Sequence, residues 1–582
     1  MTGVCRDAER HIRSTPGEPG VRPGWLGWER SNALDEIVRL PPATPESQQA
    51  GVRSDELADS EDSPIRGHAD VVIVGGGTAG AIVAARLVEA DSGEVLMLEA
   101  GPNYGPATSG RWPPDLLDAS SIPASHDWAY TATAGAFRRP VRVERARVIG
   151  GCSSHNGCTA LWGGPSDWNA IAGDGQALPG WGAVAMAPVR DRVLARLGVH
   201  VPGDDAVTPY HAAWIEAARA AGYDRVPDLN ASERPGIGLN PINIRAGLRM
   251  NTAFAWLDPV RDNPRLTVAG DTLVDRLVVK DDRVVAVEAI RDGARQRIGC
   301  DRVVMAAGAY GTPAILQRSG IGSAALLERL DIPVNVDLPG VGANLQDHPS
   351  VLLRYAESER LVDALARFAA AAPFAPEEQT VLRGRSSRAP GHVPFDIHLY
   401  PFGGTGAASV DGFGFVAGVA CMTPRSRGAV RIVSADPLSS PEIDLGLLID
   451  RDGHDRAVLA EGIGIAEAIV STTPLRSLLG ERLSEPSMAD RIREHGVDAP
   501  LAGHYYHPVG TCRMGPGDRM DVCDGEGRIL GLANGYVADA SLFPVIPKAN
   551  TALPVAMVAE RISDRLIGQG AEAKPPARWK TP

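Results

Sequence analysis

The run Asp70-Val-Val-Ile-Val74 passes straight into Gly75-Gly-Gly77-Thr-Ala-Gly80, and Glu99 follows about 20 residues on. A continuous apolar, β-branched run is the pattern of a strand buried on both faces. Thr78 to Ala90 then reads as a helix and Glu94-Val-Leu-Met-Leu-Glu99 as a second strand, which predicts a βαβ unit. Gly75 permits the tight turn, Gly77 lets the backbone approach a pyrophosphate, and Gly80 lets helix pack on strand. Free N–H groups at the helix start, at Thr78 and Ala79, favour phosphate. Glu99, with Ala100 beside it, ends the second strand where an acid accepts a ribose hydroxyl. The segment predicts a dinucleotide site and does not separate FAD from NAD. A glycine-rich turn without a ligand is the bland alternative.

The chain has 582 residues, 44% hydrophobic and 22% charged, which suits a large-cored globular protein of two or more domains. A formal net charge of −13 argues against nucleic acid or an anionic membrane as partner. Nearly all of the 58 basic residues are arginine, as in a GC-rich bacterial source. The seven cysteines are scattered with no CxxC pair, so no metal site is expected and reduced, cytoplasmic thiols are. No apolar run reaches the ~18 residues of a membrane helix, and the N-terminus lacks a signal core.

Residues 1–67 are polar, with Trp25, Trp28 and one amphipathic patch, and read as a partly ordered extension. Residues 263–305 alternate as a meander with turns at Asp281-Asp282 and Asp292-Gly293. Residues 355–395 read as a helical lid or a mobile loop, 396–446 as strands, and Thr551 to Gly568 as an amphipathic helix before a polar tail.

Four further strings carry more specific information. Arg145-Ala-Arg-Val-Ile-Gly-Gly-Cys-Ser-Ser-His-Asn156 pairs glycines with small hydroxyl and thiol residues. Gly308-Ala-Tyr-Gly-Thr-Pro-Ala-Ile-Leu-Gln-Arg-Ser-Gly-Ile-Gly322 predicts a helix starting at Thr312-Pro313 and stopping at Gly320 and Gly322. Leu338-Pro-Gly-Val-Gly-Ala-Asn-Leu-Gln-Asp-His-Pro349 and His504-Tyr-Tyr-His507-Pro-Val-Gly-Thr-Cys-Arg-Met-Gly515 crowd polar groups around glycines. Together, and in this order, they resemble the glucose-methanol-choline (GMC) family of FAD-dependent oxidoreductases over roughly residues 68–568.

The resemblance implies an α/β (α+β two-domain) fold, a Rossmann-like FAD-binding domain beside a substrate domain built on an antiparallel sheet. The expected division is an extension 1–67, a discontinuous FAD-binding domain 68–170, 240–350 and 500–570, a substrate-binding domain 171–239 and 351–499, and a tail 571–582. It implies FAD held by Arg147, Gly150, Gly151, Ser154, His155, Asn156, Gly157, Asp539, Ala540, Asn550 and Thr551 in addition to the first glycine loop. His155 matches the histidine that carries a covalent flavin bond in choline oxidase-like members. That pattern continues with Ser where this chain has Gly157, which argues against choline itself.

The implied reaction oxidises an alcohol to an aldehyde or ketone, with oxygen or an electron carrier as acceptor. Histidine suits proton removal near neutral pH. By resemblance His507 is the base and Asn550 holds the alcohol oxygen. His348 and Tyr506 are expected in the substrate pocket, with Tyr505 and Tyr506 crowding the flavin face. His504 is read as structural and Lys548 as a solvated loop lysine. Thr551 or Asn550 could cap the last helix and aim its positive end at the flavin. An oligomer is compatible with all of this. Two alternatives stand beside it, a lyase on the same scaffold and a noncatalytic flavin-binding partner.

Overall fold

The computed structural model describes residues 65–133, 140–173, 177–371, 374–403, 415–495 and 502–568. The two tryptophans and patch of the extension, and the tail, lie outside the described residues.

Two sheets of seven strands each organise the chain. In the first, β1 (His68–Val74) pairs in parallel with β2 (Val95–Leu98) on one side and Ala294–Met305 on the other. Leu266–Ala269 and Gly535–Val537 extend the parallel set at either edge. Val71 to Val74 are at most 1% exposed, as a strand covered on both faces requires. Helix α1 (Thr78–Glu89) covers β1, and the terminal helix Ala552–Gly568 packs on α1. Arg86 of α1 and Arg192 of helix Ala183–Leu197 converge on buried Glu560 and on Asp564 of the terminal helix.

The expected meander starts later than predicted. Leu273–Lys280, Arg283–Arg291 and Ala294–Met305 form it, whereas Leu266–Ala269 belongs to the parallel set. The Asp292-Gly293 turn has positive φ at both residues (52° and 73°), the conformation a two-residue hairpin needs. Strand Ala294–Met305 is shared: its first half pairs with the meander and its second half with β1.

The second sheet is antiparallel, in the order Leu479–Arg482, Pro349–Glu357, Phe415–Cys421, Ile397–Phe402, Thr380–Gly384, Gly236–Leu239, with Ala502–His504 as a seventh strand on Pro349–Glu357. The segment 355–395 is therefore only partly helical (Glu359–Ala371), and Thr380–Gly384 is a fully buried strand. Arg383 disguises that strand as surface. Its guanidinium is buried, donates to the Leu229 carbonyl at 2.8 Å and sits 4.7 Å from the Phe395 ring centre.

The helix predicted from Thr312-Pro313 begins at Gly308 and holds Pro313 inside it. Proline leaves the carbonyl four residues back without its helical donor. That carbonyl, of Ala309, accepts the Thr511 hydroxyl at 2.7 Å instead. Gly320, at φ 73°, ends the helix as expected, whereas Gly322 starts no stop and lies in the short strand Ile321–Gly322.

Candidate active site

A cavity of about 1380 Å³ opens between the two sheets. The loops leaving the parallel strands line one side, the position where such sheets bind ligands. Tyr400 and Phe402 of the second sheet line the other.

At the glycine loop, Gly75 has φ +99° and a Cβ there would meet Ala307 at 2.9 Å. A Cβ on Gly80 would run into the Gly75 carbonyl, so Gly80 serves helix-on-strand contact and stays off the cavity wall. Gly77 and Gly151 face each other, and a Cβ on Gly151 would stand 2.6 Å from the Gly77 Cα. No side chain caps the start of α1, which leaves its first N–H groups turned to the cavity wall at Gly77, Thr78 and Ala79. The Glu99 carboxylate accepts the Gly76 N–H at 2.8 Å and the Gly101 N–H at 2.9 Å. Burial pushes its pKa up to about 7, against the pull of those bonds and of Arg147.

Ala100, Arg147, Asn156, Gly157, Ala540 and Thr551 also line the cavity. Arg147 donates to the Ala100 carbonyl at 3.0 Å. Asp539 reaches the wall, yet its carboxylate is engaged by Gly308 and Ser541 N–H groups and by the Thr312 and Ser541 hydroxyls. Gly150 and Ser154 stand behind the wall: Gly150 turns at φ +86°, and the Ser154 hydroxyl donates to the Ile149 carbonyl at 3.1 Å.

His155 is 8% exposed and lines the cavity. Its Nε2 lies 2.7 Å from the Ser125 carbonyl, so Nε2 carries the proton and Nδ1 the lone pair. Burial lowers its pKa and keeps the ring neutral.

His507 and His348 form one unit. A single oxygen of Asp347 accepts the backbone N–H of both, at 2.9 and 2.8 Å. Their Nδ1 atoms are 2.9 Å apart, so one proton lies between two nitrogens that cannot both donate. Burial pushes His348 down to about 4, and burial with the neighbouring His348 holds His507 well below its ordinary value. Both rings are neutral near pH 7. With the shared proton on His507 Nδ1, the opposite nitrogen, Nε2, is the lone pair. His507 lines the cavity; His348, expected in the pocket, is buried behind it.

Tyr506 is 50% exposed with φ +62°, and its carbonyl accepts from Arg145 at 3.0 Å. Tyr505 is the packed one of the pair, stacked on Tyr400 with ring centres 3.9 Å apart and tilted against His507 at 4.3 Å. His504, read as structural, also lines the cavity; its Nδ1 accepts the Tyr506 N–H at 3.2 Å and its Nε2 lies 3.2 Å from the Arg142 carbonyl.

Lys548 overturns its reading as a solvated lysine. It is 6% exposed, its ammonium is 2.6 Å from Asp167 and 2.9 Å from the Ser166 hydroxyl, and it lies off the cavity wall. The sequence around it is all loop, and only the distant Asp167 reveals the pairing. The ion pair pins the segment that leads to Asn550, which lines the cavity, and to Thr551. The Thr551 carbonyl accepts the Val555 N–H at 2.9 Å at the start of the terminal helix. Sequence reasoning missed Tyr400, Phe402 and Glu378 on the cavity wall. Tyr400 and Phe402 were legible as alternate positions of one strand face.

Among the described residues, Cys421, His454 and Asp455 form one group with potential metal-ligating atoms within 4.8 Å. Both Asp455 oxygens already accept loop N–H groups, from Arg425 and Ser426, and none of the three lines the cavity. No described helix is long and apolar enough to cross a membrane.

Residues 69–350 and 424–559 match the N- and C-terminal family models of GMC oxidoreductases. Choline oxidase of Arthrobacter globiformis is 32% identical over 532 residues, covering 85% of this chain and 93% of its own. An oxygen-dependent choline dehydrogenase of Chromohalobacter salexigens is 31% identical over 560 residues, covering 88% and 96%. Among solved structures, pyridoxine 4-oxidase from Mesorbium loti superposes with a TM-score of 0.73 at 28% identity, over 85% of this chain and 98% of that one. Formate oxidase of Aspergillus oryzae RIB40 shares the fold at a TM-score of 0.75 and 22% identity, over 87% and 99%. The chain belongs to the GMC oxidoreductase family, FAD-dependent enzymes that act on a CH–OH group.

Proposed function

We propose that the pair His507–His348 makes this protein an alcohol oxidoreductase with one base, His507 Nε2. The carrying observation is the 2.9 Å contact between the two Nδ1 atoms. With the shared proton on His507 Nδ1, this contact engages that nitrogen and leaves Nε2 as the lone pair for the alcohol. His348 is then a positioning residue that holds the tautomer.

The residues fit FAD. The apposed Gly77 and Gly151, the uncapped start of α1 and the ribose-ready acid Glu99 form a cradle for a dinucleotide. FAD, when bound, accepts the hydride. His507 takes the hydroxyl proton, and Asn550 donates its amide hydrogen to the same oxygen as negative charge develops on it. Thr551 begins a helix whose positive end adds to that stabilisation. Tyr505 and Tyr400 exclude water beside the base. Glycines 75, 77, 80, 150 and 151 shape the backbone, while Arg147, Asn156, Gly157 and Ala540 complete the wall that receives the flavin.

We keep the discontinuous division into flavin and substrate units, with helix Ala183–Leu197 counted on the flavin side because its apolar residues join the first core. A cytoplasmic location is supported by the free cysteines among the described residues. The relatives are oxidases and dehydrogenases, and the lyase and noncatalytic alternatives are not favoured. The test is an alcohol panel under anaerobic conditions followed by air: an alcohol that bleaches the flavin supports the reading, and reoxidation by air separates oxygen from a carrier as acceptor. Bleaching by none of the panel removes it.

His155 is our site for a covalent flavin bond, supported by its neutral ring and unbonded Nδ1. Acid-precipitated protein is expected to stay yellow, and His155→Ala to release the colour into the supernatant. A colourless wild-type pellet contradicts the bond.

A further inference from the structure

We infer that the buried guanidinium of Arg383, with the His398 imidazole beside it, holds a small inorganic anion of chloride's size and single charge.

The placement follows from the second sheet. Arg383 and His398 stand directly opposite each other on neighbouring antiparallel strands, so their side chains leave the same face. Both rest on one ring. The Arg383 Cζ is 4.7 Å from the Phe395 ring centre, and the His398 ring is stacked on Phe395 at 5.4 Å. The Lys548 ammonium reaches the same ring at 5.7 Å. Arg383 and His398 are 0% exposed.

The charges here do not balance among the described residues. Asp167 offsets Lys548 at 2.6 Å, whereas no carboxylate forms an ion pair with Arg383. Glu233 and Asp228 are the other acids whose charge reaches Arg383. Both carboxylates are engaged elsewhere, Glu233 by the Ser166 N–H and Asp228 by the Asn230 N–H. A guanidinium does not lose its proton in a protein, and a buried charge without a partner is costly. The Arg383 Nη1 donates to the Leu229 and Ser232 carbonyls, which carry no charge. Its Nε and Nη2 have no partner, and neither has Nδ1 or Nε2 of His398.

The donors separate an anion from a water. Nε offers one N–H, Nη2 two, and the His398 ring one when neutral. Burial, then the Arg383 charge, hold the His398 pKa well below its ordinary value, so the ring is neutral. A water accepts at two lone pairs and leaves the guanidinium charge uncancelled. A halide accepts from every side and cancels that charge. Lys548 ties the cluster to the catalytic wall, because it precedes Asn550 by two residues and its ammonium shares the Phe395 ring with Arg383.

Two measurements on the holoenzyme test this. Crystals grown in sodium bromide and measured at the bromine absorption edge should show an anomalous peak within hydrogen-bond reach of Arg383 Nε or Nη2, absent from Arg383→Met. An ordered water there, or nothing, overturns the inference. In solution, after dialysis into sodium gluconate, exchanging gluconate for chloride at constant ionic strength should raise the melting point saturably. The rise should be about 2 °C once chloride stands about a hundredfold above its dissociation constant. Arg383→Met should melt alike in both salts. A rise that does not saturate, or that Arg383→Met keeps, is a general salt effect and overturns the site. A bromide peak without a saturable rise marks binding at crystal concentration only and also overturns it. The wild-type measurements decide the matter even where Arg383→Met does not fold.

Discussion

His507→Ala slows reduction of the flavin by alcohol by about 10²–10⁴-fold, the usual worth of a positioned general base, and leaves the flavin bound. The flavin cradle is built from Gly77, Gly151 and Glu99 and does not depend on the imidazole. The pH dependence follows from the same residue. A base works unprotonated, so activity falls as pH drops through its pKa in the folded protein. Burial, then His348 and Arg145, depress that pKa well below the ordinary 6.5. The acidic limb of kcat/KM for His507 therefore lies below 6.5, and the rate is flat through neutrality as far as this group decides it. Stopped-flow reduction across pH measures both effects. A variant that turns over normally, or an acidic limb above 6.5, contradicts the assignment.

Asp167→Ala should destabilise the protein by about 3–5 kcal/mol, the cost of orphaning a buried charge. The side chains of Lys548 and Asp167 are 8% and 3% exposed. Removing the carboxylate strands the ammonium and also frees the Lys548 and Gly164 N–H groups that Asp167 accepts. On a chain of this size the loss corresponds to a melting point lower by roughly 2–4 °C. The same change loosens the loop leading to Asn550, so flavin reduction should fall with it. Replacing both partners together, Asp167→Leu with Lys548→Met, should recover part of the stability, because an apolar pair leaves no unpaired charge, while the Lys548 and Gly164 N–H groups stay without their acceptor. A single variant that melts like wild type removes the anchoring role of the pair.

The flavin half was written locally. β1, the glycine loop and Glu99 are contiguous, and their pattern of apolar run, glycines and acid leads directly to the parallel sheet. The substrate half was not. Thr380–Gly384 is buried on both faces and carries Arg383, so it shows neither alternation nor a continuous apolar run. Of the partners that make it a strand, Ile397–Phe402 follows next along the chain but Gly236–Leu239 lies far back in it. His348 and Lys548 failed for a related reason: each is read from its neighbours in sequence as pocket or solvent, while His507 and Asp167, far along the chain, decide its environment.

The most direct measurement uses an alcohol that bleaches the flavin, in its ordinary form and deuterated at the carbinol carbon, mixed anaerobically with wild-type enzyme. Breaking that C–H bond is the hydride transfer itself. Severalfold slower bleaching with the deuterated alcohol, with aldehyde or ketone formed as the flavin bleaches, is the predicted result. Bleaching at the same rate for both, or carbonyl product released while the flavin stays oxidised without air, would contradict it.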